Sequence, residues 1–134
     1  MHISSKRLNI FFNASNILIM NTLRNSVQLI GHLGKDTEKI DLPGGKMMAK
    51  VTIATNDYYT NKDGERVENT QWHQVVAFGK TAENMVNLLK KGSEVAFHGK
   101  LNNRNYEDKE GVKRYITEVV ASEFILFGKK ENIK

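Results

Sequence analysis

The chain has 134 residues, 40% hydrophobic and 26% charged, with 20 Lys and Arg against 15 Asp and Glu for a formal charge of +5. This balance argues against wholesale disorder and against a membrane protein, and leaves room for one globular domain with an ordinary core. The lack of cysteine excludes a disulfide framework, a Cys-ligated metal site and a thiol nucleophile, and it fits a reducing compartment.

Residues Met1 to Met20 read MHISSKRLNIFFNASNILIM, a basic start followed by an apolar run that Asn9, Asn13, Ser15 and Asn16 interrupt. A secretory signal would need an unbroken run and a small-residue cleavage site, and a membrane helix would need more length. Residues 1–19 therefore read as a disordered extension or an upstream start, with a mitochondrial targeting peptide as the alternative. Lys6 and Arg7 contribute to the net charge from this stretch, so a phosphate-bearing partner has to be argued from where charge is placed.

From Val27 onward, short apolar-rich runs alternate with Gly, Asp and Asn turns, the pattern of an all-β sheet or barrel. Five strands are expected: Ser26 to Leu33, Met47 to Asn56, Gln71 to Phe78, Glu94 to about Asn103, and Lys113 to about Leu126. The second follows Pro43-Gly44-Gly45 and alternates Val51, Ile53 and Thr55 against Lys50, Thr52 and Ala54.

Between the third and fourth strands, Ala82, Met85, Val86 and Leu89 repeat at helical spacing, with Thr81 as the expected N-cap. Lys90 and Lys91 suit the negative end of the helix dipole, and Gly92 is placed to stop the helix. Three strands, one helix and two strands is the order of the OB-fold, a five-stranded Greek-key barrel that binds oligonucleotides or oligosaccharides. Two long hairpins have similar tips, Asn61-Lys62-Asp63-Gly64 and Asp108-Lys109-Glu110-Gly111. Each arm begins with tyrosine, at Tyr58-Tyr59 and at Tyr106, and of the adjacent pair one ring is expected outward and one packed.

Strand parity places Trp72, Gln74, Val76 and Phe78 on one face, opposite His73, Val75 and Ala77. On the fourth strand Val95, Phe97, Gly99 and Leu101 form the expected buried set. The outward parity then runs through His98, Lys100 and Asn102 to Arg104 and Tyr106. Aromatic rings thus lie among Lys62, Lys80, Lys100, Arg104 and Arg114, an arrangement that suits a flexible polyanion with unpaired bases. The competing reading makes Trp72 and Phe78 ordinary core residues.

Five segments carry a resemblance. They are NSVQLIGHLG from Asn25 to Gly34, ATN from Ala54 to Asn56, WHQVVAFGKTAE from Trp72 to Glu83, LKKGS from Leu89 to Ser93, and RYITEVV from Arg114 to Val120. In order and spacing they resemble bacterial single-stranded DNA-binding proteins over about Met20 to Gly128, which makes 20–128 the binding domain and 129–134 a short basic tail.

The resemblance implies sequence-independent binding and protection of single-stranded DNA in replication, recombination and repair. It implies stacking on Tyr59, Trp72, Phe78 and Tyr106, and phosphate contacts from Lys62, Lys80, Lys90, Lys91, Arg104 and Arg114. Gln74 and Asn105 stand where other members often carry a basic residue, which implies weaker phosphate contact there. His73 falls at a position of subunit contact, implying a homotetramer that DNA wraps around, in the cytoplasm at the nucleoid. Many members end in an acidic tip that recruits other proteins, whereas this chain ends GKKENIK, so recruitment by that route is not expected.

Catalysis, a metal and a cofactor are not expected, since His32, His73 and His98 lack ligand spacing. A protein-binding OB module and an RNA binder are the remaining rivals. The Gly31-x-x-Gly34 spacing resembles the loop that clamps nucleic acid in KH domains, but without the required helices it reads as a turn.

Overall fold

The computed structural model describes residues 23–129. From Val27 on, six strands and an α-helix follow in the order β1 (Val27–Leu33), β2 (Glu38–Leu42), β3 (Lys46–Thr60), β4 (Arg66–Phe78), α1 (Gly79–Leu88), β5 (Ser93–Glu107) and β6 (Lys113–Lys129). The sheet order is β1-β5-β6-β4-β3-β2, and a further β1–β3 pairing closes the first five of these into a barrel. Closure removes the free edges that an open sheet of these strands would expose. The fold is the expected OB barrel with its helix between the third and fourth barrel strands.

Closure depends on close approach at one glycine. Gly31 lies in β1, and a Cβ there would collide with the carbonyl of Ala54 on β3. Gly31-x-x-Gly34 is therefore not the expected turn. Gly31 is a strand residue where two backbones meet, and neither glycine has a positive φ.

The core follows the alternation. Val51 and Ile53 of β3, Val75 and Ala77 of β4, and Val95 and Phe97 of β5 all point inward and are buried. Ala82 and Met85 of α1, with Leu89 just beyond it, close one end. Full burial of side chains of this size contributes about 1.5–3 kcal/mol each, so this cluster is the main source of stability.

Four expectations change. Strand β2 was not expected: its segment EKIDL carries three charges and stays largely exposed. Pairing along Lys46–Lys50 holds it in place, as in Ile40 opposite Met48. Thr81 is not the N-cap, since α1 starts at Gly79 with Phe78 at the cap position and no side-chain cap bond. The Thr81 hydroxyl instead donates to the Ser122 carbonyl at 3.4 Å. Leu101 keeps its inward parity opposite Val119, yet it sits where β5 leaves the barrel and is 42% exposed.

Finally, β3 and β5 run several residues past their expected ends and β4 starts several residues early, because the two hairpins are paired ladders almost to their tips. Strand β6 starts at Lys113 as expected and runs on to Lys129, paired there with Ser93. Polar residues hold these arms together. Asn61 Oδ1 accepts from the N–H groups of Asp63 and Glu65, and Asp108 Oδ1 accepts from those of Glu110 and Val112, all at 2.9 Å. Gly64 and Gly111 then turn the chain at φ +81° and +79°. Each arm also carries one directly opposed Thr–Asn hydrogen bond, Thr70 to Asn56 at 2.8 Å and Thr117 to Asn103 at 2.7 Å.

Candidate nucleic-acid interface

Directly opposed residues in a sheet share a face, so the register shows which side chains lie together. Ala54 opposes Trp72 and Met48 opposes Phe78, which places both rings away from the inward set Val51, Ile53 and Val75. Strand β6 joins β4 in parallel with Val76 beside Val120, and β5 joins β6 with Lys100 opposite Val120 and Tyr106 opposite Arg114. Counting by two, Phe78, Trp72, Lys100, Arg104 and Tyr106 share one outward surface that crosses β4, β6 and β5.

The rings on this surface are open. Trp72 is 60% exposed, Phe78 50% and Tyr106 47%. The core reading of Trp72 and Phe78 is therefore wrong for both.

The adjacent tyrosines behave differently from the expectation. Neither packs into the core; Tyr58 is 53% and Tyr59 54% exposed. By register Tyr58, opposite Glu68, has the parity of Trp72, whereas Tyr59, opposite Val67, has that of the inward set. Tyr59 is nevertheless open, because this part of the arm lies beyond the barrel. Tyr58 is restrained: its hydroxyl donates to Glu68 Oε2 at 3.0 Å, and the Arg66 guanidinium lies 4.1 Å from its ring centre. The hydrogen bond to the Glu68 carboxylate, together with its charge, holds the Tyr58 phenol above its ordinary pKa.

The expected basic path divides into two groups. Arg104 Nε donates to Glu118 Oε2 at 3.1 Å, and that carboxylate is only 6% exposed. Arg114 Nε donates to Asp108 Oδ2 at 2.9 Å, and Lys80 Nζ lies 3.4 Å from Glu83. Lys62, Lys90 and Lys91 are exposed and form no salt bridge among the described residues. Spacing alone could not reveal this division, because Glu118 lies fourteen residues from Arg104 and meets it only through the β5–β6 register.

Gln74 lies between Trp72 and Val76 on the outward face, and its Oε1 is buried with no partner among the described residues. His73 is half-buried on the other face, with Nε2 2.9 Å from Thr55 Oγ1.

The structure also joins residues that the sequence left apart. His98 Nε2 lies 3.0 Å from Ser26 Oγ, and its Nδ1 lies 3.1 Å from Glu123 Oε2. His98 and Glu123 line a groove with Ile30, Phe124, Ile125 and Phe127, and through Ser26 the contacts tie the start of β1 to β5 and β6. Among the described residues, no group of three or more His, Cys, Asp or Glu could hold a metal ion, and no helix is long and apolar enough to cross a membrane. Residues 1–19 and the tail beyond Lys129 lie outside the described residues.

Comparison with known proteins points to one family. A model of the single-strand binding protein family matches residues 24–127. Single-stranded DNA-binding protein 1 of Xylella fastidiosa is 45% identical over 109 residues, which are 81% of this chain and 80% of that protein. The protein of the same name from Chlorobaculum tepidum is 38% identical over 109 residues, covering 81% of this chain and 67% of that one.

Among solved structures, the Plasmodium falciparum SSB in complex with ssDNA superposes with a TM-score of 0.71 at 27% identity, covering 77% of this chain and 94% of that one. A deletion mutant of the single-stranded DNA binding protein from Thermus aquaticus superposes at 0.69 with 30% identity, over 77% of this chain and half of its own length.

Proposed function

The chain belongs to the single-strand binding protein family, and we propose that it coats and protects single-stranded DNA without reading its sequence. The observation that carries this reading is the outward surface shared by Trp72, Phe78 and Tyr106, each about half exposed. Large rings left in water on a sheet face have forgone burial, and an unpaired base restores it by stacking. Each such stack contributes roughly 1–3 kcal/mol and is blind to base identity, since every base offers a π-face.

Tyr59, of opposite parity to Trp72 but open beyond the barrel, offers a further ring for stacking on the β3–β4 arm. Lys62, Lys90 and Lys91 supply the free positive charge of the path, while Lys80, Arg104 and Arg114 meet phosphate from within existing ion pairs. In this reading Arg104 and Arg114 chiefly set the shape of the path.

We further propose self-association into a homotetramer around which the DNA wraps, with His73 at a subunit contact. The exposed apolar face of Ile30, Ile125 and Phe127 supports association, because a patch of this kind rarely stays open on a monomer. The setting is the cytoplasm at the nucleoid, where replication, recombination and repair expose single strands. No catalytic role is assigned, and the Ser26–His98–Glu123 contacts are read as structural.

Trp72 is the single tryptophan, so its fluorescence reports the site directly. Oligo-dT is expected to quench it strongly and duplex DNA far less. An equal length of RNA in competition tests strand identity, and absence of both quenching and a gel shift with oligo-dT would refute the reading.

A further inference from the structure

Gly34 follows β1 and does not have a positive φ, so a side chain there would not strain its φ. The space around it is the obstacle. The three atoms nearest a Cβ built at Gly34 all belong to the indole of Trp72: Cζ3 at 2.7 Å, Cη2 at 3.0 Å and Cε3 at 3.8 Å. This sets it apart from Gly31, whose Cβ would meet backbone. We propose that Gly34 is a positioning residue for DNA binding, a side-chain-free seat on which the outer ring of Trp72 rests.

The seat is fixed from below. The Gly34 N–H donates to the Thr52 carbonyl at 3.0 Å, and Thr52 opposes Gln74, two residues from Trp72 on β4. Seat and ring are therefore carried by the same stretch of sheet. A ring held in one orientation before the base arrives loses less side-chain freedom on binding, which raises affinity without any new contact with DNA.

A methyl group at position 34 meets a backbone that is hydrogen-bonded in place and a ring that is 60% exposed. The ring is the part that yields. It has two rotatable bonds and open solvent on its free side, so the fold tolerates the change and the orientation of the indole does not.

This inference rests on the proposed stacking at Trp72, and a mutant cycle separates the two. Binding is read from the anisotropy of labelled oligo-dT for the wild type, Gly34→Ala, Trp72→Phe, the double variant, and Trp72→Ala. Gly34→Ala is expected to weaken binding roughly 3- to 20-fold, within the range that the loss of one stack allows. It should also shift the Trp72 emission of the free protein while the thermal transition moves little.

Phenylalanine lacks the outer indole ring that crowds position 34, so in the Trp72→Phe background the same substitution should cost less than about twofold, inside ordinary additivity error. Equal losses in both backgrounds would overturn the seat, as would no loss in the wild type. So would an unfolded Gly34→Ala that Trp72→Phe does not restore, because the glycine would then serve the fold. If Trp72→Ala itself leaves binding intact, stacking at Trp72 fails first and the seat has nothing to position.

Discussion

Single residues on the outward face divide by what they already touch. Trp72 and Tyr106 are about half exposed and outside the core cluster, so replacing either with alanine should change folding little. The expected result is a loss of roughly 5- to 150-fold in oligo-dT affinity, equivalent to one stack, with the thermal midpoint within a few degrees of wild type. Arg104 is a different case, because its removal leaves the buried Glu118 carboxylate without its cation. Arg104→Ala should therefore lower unfolding stability by about 1–3 kcal/mol in urea titration, alongside any loss of affinity. Lys62→Ala should lower affinity alone. The parity of Trp72 and Phe78 was legible in sequence because it needs only the two-residue repeat of a strand. The pairing of Arg104 was not, since it depends on a register that the local sequence does not specify.

At the scale of elements, the two arms use one device with different chemistry at the tip. Asn61 and Asp108 each accept two backbone N–H groups, but only Asp108 titrates. The Val112 N–H, then the Arg114 guanidinium, hold the Asp108 carboxyl below its ordinary value. Its contribution to the arm is thus fully present above the ordinary carboxylate pKa and is lost as pH falls through the lowered one. Acidification should expose the Glu110 and Val112 amides to hydrogen exchange while Gly64, bonded to Asn61 O at 3.1 Å, stays protected. Asp108→Asn should remove that pH dependence.

Some features of the elements escaped the sequence for definite reasons. The lengths of the arms did, because polar ladders beyond the core show no hydrophobic alternation. Strand β2 did so because pairing to β3, rather than burial, makes it a strand. The helix boundary moved because Gly79 and Lys80 continue the helix out of β4, ahead of the residue that looked like a cap.

For the whole molecule, the net charge of +5 says less than the distribution of free cations. Affinity should fall with salt at a slope of about −0.7 per phosphate neutralised on a single strand. Alanine at Lys62, Lys90 or Lys91 should each flatten the log–log slope, whereas alanine at Arg114, already paired with Asp108, should flatten it less. A mass measurement during titration with dT oligomers of increasing length reads assembly and wrapping together, and a monomer at every length would refute the tetramer.

By itself the sequence determined the barrel order, the helix in its midst, the inward set and the face on which Trp72 and Phe78 stand. All of these follow from short-range periodicity and turn chemistry. Tertiary structure alone decided that those rings are open, that Tyr58 and Tyr59 are both open as well, and that half of the expected basic path is already paired. It alone brought the empty side-chain position of Gly34 under the indole of Trp72. Such contacts join residues far apart in the chain, and barrel closure is what brings them into register.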